Sequence, residues 1–577
     1  MMYELKRRID IAAGRLRPSL VLKNGKIVNV FSGEIIEGDI AIEGEKIVGI
    51  GNYEGVEEID LGGKYVSPGF IDGHVHIESS MATPEQFARA IIPRGTTTIV
   101  ADPHEIANVC GMEGIDYILE SSKNIPLSVY VMLPSCVPAT PFENAGAILK
   151  AEDLRRLIND ERVLGLGELM DYPGVIKGEE DIIDKLIMAE GKTVDGHGPV
   201  IEGKDLNAYV VAGIKTEHEC STPEEMIDRL RLGMYILIRE GSAARNLKTL
   251  IKAVNKENMR RCLFCADDKH PEDLLLKGHL DYNIRLAVEE GINPISAIQM
   301  ATINAAECYG LKHLGAIAPG YDADIVILDD LKNFKVAKVF KRGKLVAQDN
   351  KALFSVTMGD YSKVTDTVNI KPVTEEDLRI KLESDTANVM RLLPHSLVTK
   401  RIIEKVSTEE GFFKYNKDRD ILKLVVVERH KATGNIGLGL VENFHLKKGA
   451  IASTIAHDSH NLIVIGDNDQ DILLAIEEVS KVGGGITIAS NGKILKTLKL
   501  PIAGLMSTEP VENIKADLEE MLNIAYENLG VNREIEPFMT LAFLALPVIP
   551  DLKLTDMGLF DVKNFKFIEL DATKDSI

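Results

Sequence analysis

A chain of 577 residues is too long for one ordinary domain, and 45% hydrophobic with 27% charged residues is the make-up of a folded globular protein. A formal net charge of −21 excludes nucleic-acid backbones and anionic lipid as main partners, because both would repel the chain. No apolar run approaches the roughly 18–20 residues of a membrane-spanning helix, and the opening MMYELKRRIDIAAGRL is charged from its start, so a cytoplasmic protein is expected.

The first 65 residues alternate β-favouring segments with turns, and Asn24-Gly25 reads as a hairpin turn. The phrase Lys23-Asn24-Gly25-Lys26-Ile27-Val28 is echoed by Lys341-Arg342-Gly343-Lys344-Leu345-Val346, after the strand-like GAIAPGYDADIVILDD. Residues 1–65 and 312–360 are therefore expected to build one composite β-sandwich. Between them, eight apolar strand segments alternate with helical ones: FIDGHVHI, TTTIVADPHE, LSVYVMLPS, VLGLGELMDY, KTVDGHGP, GIKTEHEC, MYILIREGS and RCLFCADD. Helices are expected near 84–93, 152–160, 179–190, 223–231, 244–256 and 272–290. Eight such units over 66–311 have the size of a TIM-type (β/α)8 barrel, whose chemistry sits at the C-terminal ends of its strands. After about 365 a polar stretch leads into mixed helix and strand, and 366–577 reads as a separate α+β domain. The fold class is thus α/β: a barrel, a small sandwich built from both flanks, and a C-terminal α+β domain.

Polar residues fall at the strand ends. His74 and His76 close the first strand, Glu168 the fourth, His197 the fifth, His218 the sixth, and Asp267 with Asp268 the eighth. Residues two apart on a strand share a face, so His74 and His76 can grip one ion. Each alone has an ordinary explanation: a solvated pair, a core histidine, a helix cap. Six ligand-type residues on converging strand ends point instead to one or two divalent metals of borderline hardness. Strand two offers Asp102, His104 and Glu105 in D-P-H-E, a second proton relay or substrate clamp, or else a structural turn. Asp268 is open to two readings, a substrate contact or a helix cap. Ser242 ends strand seven in Arg239-Glu240-Gly241-Ser242 and is assigned to the base pocket. Glu78 and Ser79 are placed to orient the first pair of histidines.

Cys262 and Cys265 form the only C-x-x-C, with no second pair to complete a zinc site, and read as buried thiols. His279 reads as surface or structural. His430, His457 and His460 are the odd residues of the last domain. AHDSH resembles a ligand cluster, but a loop whose histidines bond locally is the reading taken.

PGFIDGHVHIESS, ADPHE, GELMDY, VDGHGP, EHEC, CADDKHPEDL and ATINAAECYGL…GAIAPGYDADIVIL resemble the amidohydrolase superfamily, and more narrowly its adenine deaminase branch with an extra C-terminal domain. The resemblance implies hydrolytic deamination of adenine to hypoxanthine and ammonia by a metal-activated hydroxide attacking C6. It implies two divalent ions, Mn2+ or Fe2+ ahead of Zn2+, on His74, His76, Glu168, His197, His218 and Asp267. GLGELMDY has no lysine to carbamylate, which leaves Glu168 as the bridging ligand. The implied catalytic residues are Asp267, as ligand and proton shuttle, with Glu168, Asp102 and His104. Asp268, Glu105 and Ser242 would meet the purine. A small-molecule purine base and a further copy of the chain are the expected partners, with no nucleic acid and no membrane. The alternative is another amidohydrolase reaction: guanine or cytosine deamination, or cyclic amide hydrolysis.

Overall fold

The computed structural model describes residues 2–576, and the chain divides into two units. One runs to Pro103 and takes in Ile118–Ser135 and Lys150–Gly359; the other consists of His104–Tyr117, Cys136–Leu149 and the chain from Asp360 onward.

All eight expected barrel strands form in the first unit: Phe70–His76, Thr96–Ala101, Ser128–Leu133, Val163–Leu169, Thr193–Gly196, Thr216–Glu217, Tyr235–Arg239 and Cys262–Cys265. The first five pair in parallel and in chain order, the last three likewise. After the eighth, Asp267 and Asp268 pair with Val75 and His76 of the first, carrying the curl of the sheet round. This is a TIM-like α/β arrangement. Its strands are buried along nearly their whole length, as parallel strands covered on both faces must be. Ile71, Val100, Met132, Leu237 and Leu263 pack with Tyr309 and Leu311 in one apolar core. Each such side chain contributes about 1.5–3 kcal/mol of burial, so the strand ends that carry polar groups rest on a rigid floor.

Helices are shorter than their periodicity suggests. Only Ala151–Leu154 and Leu247–Leu250 are α-helical within the expected 152–160 and 244–256. The 272–290 stretch breaks into Pro271–Leu276 and Leu280–Glu289 around Gly278, whose φ of 111° ends the first helix.

Strands from both flanks of the barrel, Leu20–Asn29 through Tyr65–Pro68 and Ile325–Leu328 through Lys351–Ala352, join in one nine-stranded sheet. Tyr65–Pro68 bridges the flanks, parallel to Leu20–Asn29 and antiparallel to Ile325–Leu328. Asn24-Gly25 is not the expected hairpin. Strand Leu20–Asn29 runs straight through it with a bulge, and Asn24 takes the left-handed φ of 58°. At the echo, Lys341 does pair with Lys344 across a true two-residue turn.

In the second unit an eight-stranded sheet carries Ile421–Val427, Ile436–Glu442 and Leu462–Gly466 at its centre. Helix Asp469–Lys481 packs on it through Ile472, Ala475, Ile476 and Val479, and the Asn468 side chain caps its start by accepting from Asp471 N–H.

Candidate metal centre

The six strand-end residues converge. Glu168 lies in the middle: its Oε1 is 3.4 Å from His76 Nε2 and 3.9 Å from His74 Nε2, while its Oε2 is 2.6 Å from His197 Nδ1 and 3.2 Å from His218 Nε2. Asp267 Oδ1 sits 3.2 Å from His76 Nε2 and 3.5 Å from His74 Nε2. His74, His76, Glu168, His218 and Asp267 are buried, and His197 is half-buried. One carboxylate therefore faces two histidine pairs, one pair through each oxygen. His74, His76 and Glu168, and separately Glu168, His197 and His218, are each close enough to hold one ion.

A cation fits this set on proton accounting. His76 donates its Nδ1–H to the Asp102 carbonyl at 2.9 Å, so its Nε2 carries a lone pair. That lone pair lies 3.2 Å from His74 Nε2 and faces two carboxylate oxygens. Acceptors thus crowd one another around His76 in a buried pocket, which a divalent ion resolves. Burial pulls His197 down, but the Glu219 and Glu168 carboxylates outweigh it and push it up to about 9. Burial also disfavours the Asp267 carboxylate, yet Arg239 and the two histidines hold it well below the usual range.

Local structure explains why each group points inward. Asp267 is held at φ 55°, a left-handed conformation uncommon for a residue with a side chain, and such strain concentrates at working sites. Asp102 Oδ2 accepts the Glu168 backbone N–H at 2.9 Å. It fills the space beside Gly167, where a Cβ would stand 2.1 Å from that oxygen, so only glycine fits the strand there. Asp72 accepts N–H groups from His74 and Ala266 and pairs with His279 at 3.0 Å. His279 is thus a buried structural residue, one of the two readings its position allowed.

His270, not Asp268, precedes helix Pro271–Leu276, and Asp268 accepts the Ser79 hydroxyl. Ser79 therefore orients Asp268 rather than a histidine. The Ser242 hydroxyl donates to Asp273 at 2.8 Å and accepts from His270 N–H at 2.9 Å, which leaves it one lone pair. His104 and Glu105 belong to the second unit, at the start of helix His104–Cys110. There His457 Nδ1 lies 2.7 Å from Glu105 Oε1, and His460 Nε2 bonds Oε2.

Glu219 went unrecognised in the sequence, and Arg239 was named there only as part of the strand-seven end. Arg239 forks between Glu219, which it meets with both terminal nitrogens, and Asp267 Oδ2 at 3.0 Å. Glu219 in turn lies 3.7 Å from His218 and 3.9 Å from His197. The signals were an arginine closing an apolar strand and an acid next to a ligand histidine. Cys262 and Cys265 are buried free thiols, and all six cysteines are free.

Parallel strands whose C-terminal ends gather histidines and carboxylates define a hydrolase of the divalent-metal-dependent amidohydrolase class, and residues 65–346 match the amidohydrolase family. Residues 396–566 match the adenine deaminase C-terminal domain. The chain is 58% identical to an adenine deaminase of Clostridium acetobutylicum, over 98% of this chain and 100% of that one. It is 52% identical to adenine deaminase 2 of Carboxydothermus hydrogenoformans, over 98% and 99%, and 50% identical to an adenine deaminase of Geobacillus kaustophilus, over 99% and 100%. The chain belongs to the adenine deaminase family.

Proposed function

We propose that the chain hydrolyses adenine to hypoxanthine and ammonia at the strand-end cluster. The observation that carries this reading is Glu168, a single carboxylate presenting one oxygen to His74 and His76 and the other to His197 and His218. That is the arrangement a bridging ligand needs, and relatives at 50–58% identity over nearly the whole chain are adenine deaminases. His74, His76 and Asp267 with Glu168 would hold one ion, His197 and His218 with Glu168 the other; Mn2+ or Fe2+ suits the donors, as does Zn2+. When bound, such ions bring the pKa of water from 15.7 towards about 7 and so supply hydroxide at neutral pH.

The protein's own part is to move protons and hold the base. Asp267 keeps one oxygen toward the histidines and the other on Arg239, which holds it ionised and ready to take the proton that water gives up. The water oxygen bonds to C6, the C6–N bond breaks, and the proton passed on by Asp267 leaves with ammonia. Glu168 fixes the attacking side, and Asp102 fixes Glu168 through its backbone N–H. His104 is assigned as an additional relay. Asp268, steadied by Ser79, is the first contact assigned to the purine edge, with an acceptor lone pair of Ser242.

We also assign three domains: 1–65 with 312–360 as a composite β-sandwich, 66–311 as the barrel, and 366–577 as an α+β domain of the adenine deaminase type. A sheet drawn from both flanks supports the first and the 396–566 match the last. A cytoplasmic homo-oligomer completes the reading. Six free cysteines support the compartment, and no helix among the described residues is long and apolar enough to cross a membrane. An ammonia-release assay across adenine, guanine, cytosine, adenosine and dihydroorotate tests the function. Adenine should be turned over fastest, and preference for any of the others would overturn the assignment.

A further inference from the structure

The hairpin that echoes Asn24-Gly25 has an unusual residue at its tip. Arg342 and Gly343 form the two-residue turn with φ 48° and 76°, a geometry that favours asparagine, aspartate or glycine at both positions. The equivalent left-handed residue of the earlier phrase is Asn24. An arginine held there is strained, and strain of this kind persists where the side chain has work to do.

Arg342 lines a cavity of about 200 Å³ together with Lys341, Arg162, Lys123, Ser128 and Tyr130. Four of the lining residues are cationic and none is acidic, in a chain of net charge −21. Their hydrogens can be followed one by one. Lys341 is spent: it donates to Asp324 at 2.6 Å, to the Thr97 carbonyl at 2.9 Å and to Ser128 Oγ at 2.7 Å. Accepting from Lys341 leaves the Ser128 hydroxyl to donate. Lys123 pairs with Glu120. Arg162 uses Nη1 on the Leu119 carbonyl and Ser122 and meets Asp160 only at 4.0 Å, so Nη2 keeps its hydrogens. The Arg342 backbone N–H binds Asp324, and its guanidinium has no partner among the described residues.

We propose that this cavity is an oxyanion site that takes the phosphoryl group of a small metabolite. Two guanidinium groups, the Ser128 hydroxyl and the Tyr130 hydroxyl line it, and no lining residue is acidic; Arg is the residue suited to forked recognition of phosphate oxygens. The volume admits a phosphate or a small phosphate ester. Ser128 opens the third barrel strand and Arg162 directly precedes the fourth, so the cavity lies at the N-terminal ends of strands whose C-terminal ends carry the metal centre. A ligand there leaves the adenine site open.

The test is calorimetric titration of the full-length metal-loaded enzyme at constant ionic strength in chloride. The probes are inorganic phosphate, ribose 5-phosphate and adenosine 5′-monophosphate, with adenosine as the phosphate-free control. One saturable site per chain is expected, weakened at least about tenfold by Arg342→Asn and by Arg162→Met, the cost of losing about one charged hydrogen bond. Adenine kcat/KM without ligand should stay unchanged in both variants. Arg342→Asn should also raise the ligand-free Tm, because asparagine relieves the left-handed turn, so a binding loss in that variant is not misfolding. Esters tighter than phosphate identify a metabolite, and equal affinities identify inorganic phosphate. Absence of binding by all three, or binding equal in wild type and both variants, overturns the proposal.

Discussion

Among the described residues, the barrel cluster around Glu168 and the cluster around Glu105 are both buried knots of histidine and carboxylate, and their ring protons set them apart. In the barrel, His76 gives its Nδ1 proton to a carbonyl and turns a bare Nε2 toward His74 and two carboxylates. In the other unit the orientation is reversed. The Ala456 N–H donates to His460 Nδ1 at 3.2 Å, which puts the ring proton on Nε2, where Glu105 accepts it. His457 gives Glu105 a second N–H through Nδ1. Glu105, His457 and His460 are close enough to hold an ion, yet binding one through His460 Nε2 would move the ring proton to Nδ1 and cost the bonds from Ala456 N–H and to Glu105. Burial works against the Glu105 carboxylate, but His457, His460 and His104 hold it well below the ordinary range, and burial pulls His460 down to about 4. In the first knot a lone pair of His76 faces two carboxylate oxygens, which suits a cation; in the second both histidines turn an N–H toward Glu105. Counting ligand-type residues does not separate the two, whereas following each proton does.

The largest effect expected from this contrast is at Asp267. Asp267→Asn should lower kcat by at least the roughly 10²–10⁴-fold that acid–base assistance supplies while keeping part of the metal, since the amide oxygen still coordinates. Near-normal kcat with metal bound would move the proton shuttle elsewhere, to Asp102 or His104. Arg239→Lys should cost about 10–100-fold in kcat/KM with metal content retained. An ammonium cannot fork between Glu219 and Asp267, and unchanged kinetics would mean the fork plays no part in the reaction.

In the second knot, His460→Ala should destabilise the fold by about 1.5–3 kcal/mol, the range for a hydrogen bond to a charged group, and His460→Gln should recover most of it through its ε-position N–H. Chemical denaturation of both variants measures this. A glutamine variant no better than alanine would contradict the assigned ring proton.

The last effect concerns a buried amine in the same unit that lacks what Glu105 has, an opposite partner among the described residues. Lys553 is buried and donates to the Leu397 and Phe543 carbonyls, and burial pushes it down to about 7 from an ordinary 10.5. The unfolded chain binds this proton more tightly than the folded one, so stability should rise with pH between about 7 and 10.5. Lys553→Met should raise Tm most at pH 7 and below, with the gain over wild type shrinking toward pH 10. A gain independent of pH would show that the amine stays charged in the fold.

How much of this was legible in the sequence depended on whether the signal was local. The barrel strands are apolar runs that end in a ligand-type residue, and all six such residues arrive where strand ends converge. The glutamate–histidine knot was not legible, because Glu105 and His457 are 352 residues apart and no local pattern links them. Glu105 was accordingly read for its neighbour Asp102, and AHDSH as a self-contained loop. Arg239 was named only as pocket lining, since a lone arginine does not announce the two carboxylates it will brace. Asn24-Gly25 failed for a different reason: a left-handed residue before glycine suits a bulge as well as a turn. The overlong helices at 152–160 and 244–256 followed apolar spacing that the chain satisfies with turns.

The account's central claim is that one knot holds metal and the other does not. Metal analysis of the purified enzyme, of Glu168→Ala and of the His457→Ala/His460→Ala double variant tests it most directly. Two equivalents per chain are predicted in the wild type and in the double variant, and at most one in Glu168→Ala. A third equivalent lost with His457 and His460, or a full pair retained without Glu168, would contradict it.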